Sequence, residues 1–288
     1  MRIISLKGSS YEVDDYKDWA RTFLPCIDSI GFSEDEDEKI QIRLVERLIA
    51  YTEAQKVKGV FEGRTCLFDR IEDAYKGDKY AKAILRFIND NIINIERRLD
   101  KVLYSKLTPT LLDLFINFEN NGSQSHYLSR VGEIAVLDRI LSKDELVLID
   151  IERKLPNGKH IDFVIQYQEQ DILAFIEVDN IELKIDKVNC VDDLKGFLEK
   201  RFLDKINTKL EGLDKKRLLK ELNFSLVPVL WGALDDFAEY VEISDWIAEV
   251  KPRISPAYGI HYLGLPDGTE RYVFETIDNM RAIKTKIK

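Results

Sequence analysis

The chain has 288 residues, 45% of them hydrophobic and 33% charged, the make-up of an ordinary globular protein with room for two domains. A formal net charge of -9 disfavours nucleic-acid binding through the molecule as a whole, so any such binding must use a local basic surface. No apolar run approaches the roughly 18 residues that a membrane span needs. The start, Met1-Arg2-Ile3-Ile4-Ser5-Leu6-Lys7, lacks the apolar core of a secretory leader, so a cytoplasmic protein with no membrane partner is expected. Cys26, Cys66 and Cys190 are too few and too widely spaced for a disulfide framework or a zinc site and read as buried thiols.

From Tyr11 to about Phe118 the pattern is helical. Ser33-Glu34-Asp35-Glu36 has the form of a capping box ahead of the periodic run from Ile40 to Ile49, which accounts for its acids without a metal. Further helices are expected over Asp69–Tyr75, over Tyr80 to about Tyr104, and over Thr108–Phe118. Asn120-Asn121-Gly122-Ser123 breaks the pattern, which predicts a helical domain over residues 1–122 and a second domain over 123–288.

The second domain opens with an amphipathic helix, His126 to Leu141, followed by three strands. These are Leu146–Ile151, about His160–Tyr167 and Ile172–Asp179, with Asn157-Gly158 turning the first into the second through positive backbone dihedrals. A long helical region from Val191 to about Leu222, a buried strand Phe224–Trp231, a helix over about Asp235–Val250 and a hairpin of Gly259–Leu265 with Arg271–Ile277 complete the order. The fold class is therefore α/β (α+β), a helical lobe followed by a mixed sheet flanked by helices.

The chemistry sits in the second and third strands. Asp162 lies in the apolar run Ile161-Asp162-Phe163-Val164-Ile165, and Glu177 and Asp179 lie in Ala174-Phe175-Ile176-Glu177-Val178-Asp179. Side chains alternate with period two, so Glu177 and Asp179 share a face, and Asp162 on the neighbouring strand can join them. Carboxylates inside strand cores are costly unless a cation meets them. Clustered hard oxygens without cysteine suit Mg2+ or Mn2+, ions that serve phosphate chemistry. The plainer alternative pairs Asp162 with Lys159 or Arg153 and leaves Glu177 and Asp179 in water at a sheet edge.

This order of elements, with Asp162 on the second strand and Glu177-Val178-Asp179 on the third, resembles the PD-(D/E)XK nuclease superfamily, known for its restriction-endonuclease-like core. The resemblance covers approximately Ser125 to Trp231. Glu133, in Arg130-Val131-Gly132-Glu133, resembles the acidic residue that many members carry on the first core helix, although beside Arg130 it also reads as a surface ion pair. Asp179 stands where the family pattern has lysine, which orients or helps deprotonate the attacking water; some members carry an acid there. Lys184, just past the third strand, and Lys205, in the following helix, are the substitutes to consider, and spacing does not choose between them.

The resemblance implies metal-assisted hydrolysis of phosphodiester bonds, with Asp162, Glu177 and Glu133 holding Mg2+ or Mn2+ and with Asp179 or Lys184 acting on water. DNA rather than RNA is the expected substrate, with the helical lobe offering a surface to substrate, a protein partner or a second copy in a homodimer. The alternative keeps the fold and drops the catalysis, leaving a nucleic-acid-binding or assembly module; a third reading treats the acids as incidental. His126, about two helical turns before Glu133, is a further metal-ligand candidate and more simply a helix-start residue. His160 and His261, together with Trp19, Trp231 and Trp246, read as structural, and the run Lys200, Arg201, Lys205, Lys209 reads as a solvated helix face.

Overall fold

A computed structural model of the protein describes residues 3–6, 9–32, 46–53, 66–115, 126–169, 172–182, 191–213, 223–232, 257–265 and 267–280. The capping box at Ser33, the Asn120–Ser123 break, Lys184, Cys190, and the helix expected over Asp235–Val250 with its Trp246 lie outside these residues. The chain forms two compact units, one of residues 1–134 with 264–271 and the other of 135–263 with 272–288.

The first unit begins with an antiparallel hairpin, β1 (Ile3–Leu6) and β2 (Ser9–Glu12), which a helical reading of this end does not foresee. Helices follow: α1 (Val13–Phe23), α2 over residues 46–53, α3 (Leu67–Tyr75), α4 (Lys79–Arg98) and α5 (Lys101–Asp113). A single helix from Tyr80 to Tyr104 does not form, because Asp100 turns its carboxylate onto the Val102 and Leu103 N–H groups (2.8 and 2.9 Å) and starts a new helix. Thr108, expected to begin a separate helix, lies inside α5, which starts seven residues earlier and ends at Asp113, and residues 116–118 of that expected helix lie outside the described residues. Tyr16, Tyr51, Phe68 and Phe115 fill the core of this unit. Its buried Asp69 accepts from the Tyr51 hydroxyl (2.6 Å) and the Cys66 N–H (2.9 Å), which compensates its desolvation.

The second reading frame, period two, takes over after α6 (His126–Leu141). Strands β3 (Leu146–Lys154), β4 (His160–Tyr167), β5 (Ile172–Glu182), β6 (Phe224–Trp231), β7 (Tyr258–Gly264) and β8 (Glu270–Thr276) form one sheet in sequence order. β3, β4 and β5 run antiparallel as a meander, whereas β5–β6 and β6–β7 are parallel. A parallel pair needs a crossover, and α7 (Val191–Lys209) lies in the one between β5 and β6. The architecture is thus mixed α/β, a six-stranded sheet with flanking helices.

The β3–β4 turn uses one positive φ, at Gly158 (80°), rather than two. Pro156 presets the turn, Gly158 N–H reaches the Leu155 carbonyl (2.9 Å), and Leu155 N–H reaches the Lys159 carbonyl (2.7 Å). Asn157 is thereby free to donate to the carbonyls of Lys209 and Glu211 (both 2.9 Å), which pins the C-terminal end of α7 to the hairpin. Along α7, Leu194, Leu198, Phe202 and Ile206 recur every four residues and pack with Ile161, Val164, Phe175, Ile181, Leu226 and Leu230 of the sheet. Burying an aliphatic or aromatic side chain of this kind is worth about 1.5–3 kcal/mol, so α7 is firmly seated on the face that carries the acids.

Candidate active site

β4 and β5 pair in register up to Phe163↔Ile176, where the ladder stops. Continued, it would place Ile161 opposite Val178, but the Val178 N–H instead donates to Asp162 Oδ2 at 2.6 Å. A side chain thus replaces a main-chain partner and the two strands part around it. The geometry puts Asp162 beside Glu177, and its charge adds to the forces acting on that residue. Asp162, Glu177 and Asp179 are all buried, with Glu177 only 1% exposed.

Each buried acid on β5 meets cations from α7. Arg201 binds Asp179 through two parallel bonds, Nε to Oδ2 and Nη2 to Oδ1, both 2.9 Å, and Nη2 also donates to the Asn180 carbonyl (2.9 Å). Lys205 Nζ lies 3.0 Å from Glu177 Oε1, and Lys209 Nζ lies 2.8 Å from Oε2. Lys209 further donates to the His160 carbonyl at 2.6 Å. Residues 201, 205 and 209 stand four apart, one position ahead of the apolar row 202 and 206, so a single seating of the helix buries the one row and delivers the other.

Each buried oxygen of Glu177 has one ammonium beside it, Lys205 at Oε1 and Lys209 at Oε2. Burial drives the Glu177 pKa up to about 7; Asp162 pushes the same way, against Lys205 and Lys209. For Lys205, burial works against the ammonium, but Glu177, Asp179 and Asp162 prevail and hold its pKa above the lysine range.

The expected residues therefore distribute unevenly. Asp162, Glu177, Asp179 and Lys205 come together, while Lys184 lies outside the described residues. Asp162 binds the Val178 N–H, and neither Glu177 nor Asp179 faces water. Glu133 belongs to the first unit, where Arg130 Nη1 reaches its Oε2 at 2.6 Å and Arg130 Nη2 lies 3.6 Å from Asp113. Among the described residues, no three His, Cys, Asp or Glu side chains are placed to hold a metal ion. The hard-oxygen set narrows to Asp162 and Glu177, because Asp179 is engaged by the Arg201 guanidinium.

That pair still fits Mg2+, which is commonly held by one or two carboxylates and completes its shell with water and substrate phosphate. Each Glu177 oxygen, with one lysine beside it, keeps a second lone pair of the hard-oxygen kind that the ion requires. Arg201 and Lys209 escape a reading of α7 as a solvated face. The signal for them is their place at the border of the Leu198–Phe202–Ile206 row rather than opposite it. Comparisons with protein-family models, curated proteins and solved structures give no match to this chain. No helix of the described residues is long and apolar enough to cross a membrane.

Proposed function

We propose that the protein is a metal-dependent nuclease that hydrolyses phosphodiester bonds, with DNA as the expected substrate and the cytoplasm as its place of action. The observation that carries this reading is the pairing of Asp162 and Glu177 across the parted end of β4 and β5, beside Lys205 of α7. The order α6, β3, β4, β5, α7, β6, with β5 and β6 parallel, supports the resemblance to the PD-(D/E)XK superfamily. Asp162 and Glu177 would hold Mg2+ or Mn2+, which would supply positive charge to the phosphate and make water a better nucleophile. Val178 N–H keeps Asp162 oriented, and Lys209 and Arg201 hold the acid-bearing strand against the helix. The Lys205 and Arg201 side chains, 34% and 40% exposed, give phosphate a basic approach that the net charge of -9 does not provide elsewhere by default.

A second reading is favoured by one observation: three cations stand against Glu177 and Asp179, and with Asp162 beside them the cluster is neutral without any metal once Glu177 is ionised. On that reading the domain is a nuclease-like module that binds nucleic acid or a protein and cuts nothing. Incubation with single- and double-stranded DNA and RNA in the presence of Mg2+ or Mn2+ separates the two. Cleavage by the wild type that disappears in Asp162→Asn and Glu177→Gln, with circular dichroism unchanged, supports the enzyme. No cleavage of any of these substrates by the folded wild type removes it.

A further inference from the structure

The three cations of the cluster are not equally held. Arg201 makes three hydrogen bonds, two to Asp179 and one to the Asn180 carbonyl. Lys209 bridges Glu177 and the His160 carbonyl, and its own carbonyl is tied to Asn157. Lys205 has Glu177 Oε1 as its one ion-pair partner among the described residues, and at 34% its side chain is more exposed than that of Lys209 at 19%. Freeing Arg201 or Lys209 strips a backbone carbonyl of its donor, whereas moving Lys205 does not.

We infer that Lys205 is an exchangeable counter-ion: it neutralises Glu177 in the metal-free protein, and it leaves that carboxylate for the phosphate of the substrate when a divalent cation takes its place. Charge supports the exchange. A dication added to a neutral cluster leaves an excess of two positive charges in a buried site, and a phosphodiester anion meeting the displaced ammonium removes part of that excess. The flexible stem of lysine, a point charge on four methylenes, suits the movement as the bidentate fork of Arg201 does not. Lys209 by contrast stays as a fixed strut between β4, β5 and α7.

This rests on the proposed nuclease activity, but its first half can be read without it. Isothermal titration of Mn2+ into the metal-free full chain is compared for the wild type, Lys205→Met and Lys209→Met, alongside cleavage of DNA and the thermal midpoint of each. With its competitor gone, Lys205→Met should bind Mn2+ about fivefold more tightly, the upper scale of one part-exposed ammonium–carboxylate contact, while cutting DNA far more slowly and, because no backbone carbonyl loses its donor, lowering its thermal midpoint less than Lys209→Met does. Lys209→Met should lower the midpoint. Unchanged or weaker Mn2+ binding in Lys205→Met overturns the inference, as does wild-type cleavage by that variant. Tighter Mn2+ binding in Lys205→Met with no cleavage by the wild type supports the exchange and defeats the nuclease reading alone. Absence of Mn2+ binding by the wild type defeats both.

Discussion

Glu177 should make this protein less stable as the pH rises, which is unusual for a carboxylate with two lysine neighbours. Burial raises its pKa from the ordinary 4.5 to about 7 in the folded chain. Between those values the folded state binds more protons than the unfolded state, so stability falls as pH increases. The contribution is complete below about 4.5 and is lost as the pH passes through about 7. At 1.36 kcal/mol for each pH unit of displacement, this one side chain should contribute about 2–3 kcal/mol more stability at pH 5 than at pH 8. The perturbation is Glu177→Gln, which keeps the shape and removes the titration, while Lys205 remains cationic across the window because the surrounding acids hold its proton. Urea unfolding of both proteins in EDTA at pH 5 and pH 8 supplies the measurement. The stability of the wild type relative to Glu177→Gln should drop by about 2–3 kcal/mol between the two. A gap that stays constant, or that moves in favour of the wild type at pH 8, refutes the claim that burial outweighs the lysines. Added Mg2+ should stabilise the wild type more at pH 8 than at pH 5, since ion and proton compete for the same oxygens.

Substitutions at Asp162, Arg201 and Asp179 test the surroundings. Asp162→Ala leaves the buried Val178 N–H without its 2.6 Å partner and should cost about 1–3 kcal/mol, whereas Asp162→Asn retains an acceptor and should cost less. Asp162→Asn should also bring the Glu177 titration below about 7, because the charge beside it is gone; the pH midpoint of the stability difference reports this. Arg201→Met strands Asp179, which is 2% exposed, and should cost about 2–3 kcal/mol, less than a fully buried pair because the arginine is half in water. Combining it with Asp179→Asn should restore most of that loss in urea unfolding. Full additivity of the two changes would show that the ion pair carries no coupling.

What could be read in the chain is what repeats locally. β4 and β6 follow from short apolar runs, α6 from its helical spacing, and the shared face of Glu177 and Asp179 from the alternation of a strand. Where local signals compete, the reading fails: Asp100 is as much a surface residue as a helix start until its carboxylate is seen to cap, and the β1–β2 hairpin lies in a stretch too short for periodicity to declare itself. The partners of the acids belong to tertiary structure alone. Arg201, Lys205 and Lys209 are separated from Glu177 by more than twenty residues, and only the seating of Leu198, Phe202 and Ile206 on the sheet decides that this basic row faces carboxylates rather than water. A strand's alternation places its acids on one side, but whether that side is neutralised depends on the angle at which a distant helix packs, and the angle is set by side-chain interlocking across the whole core.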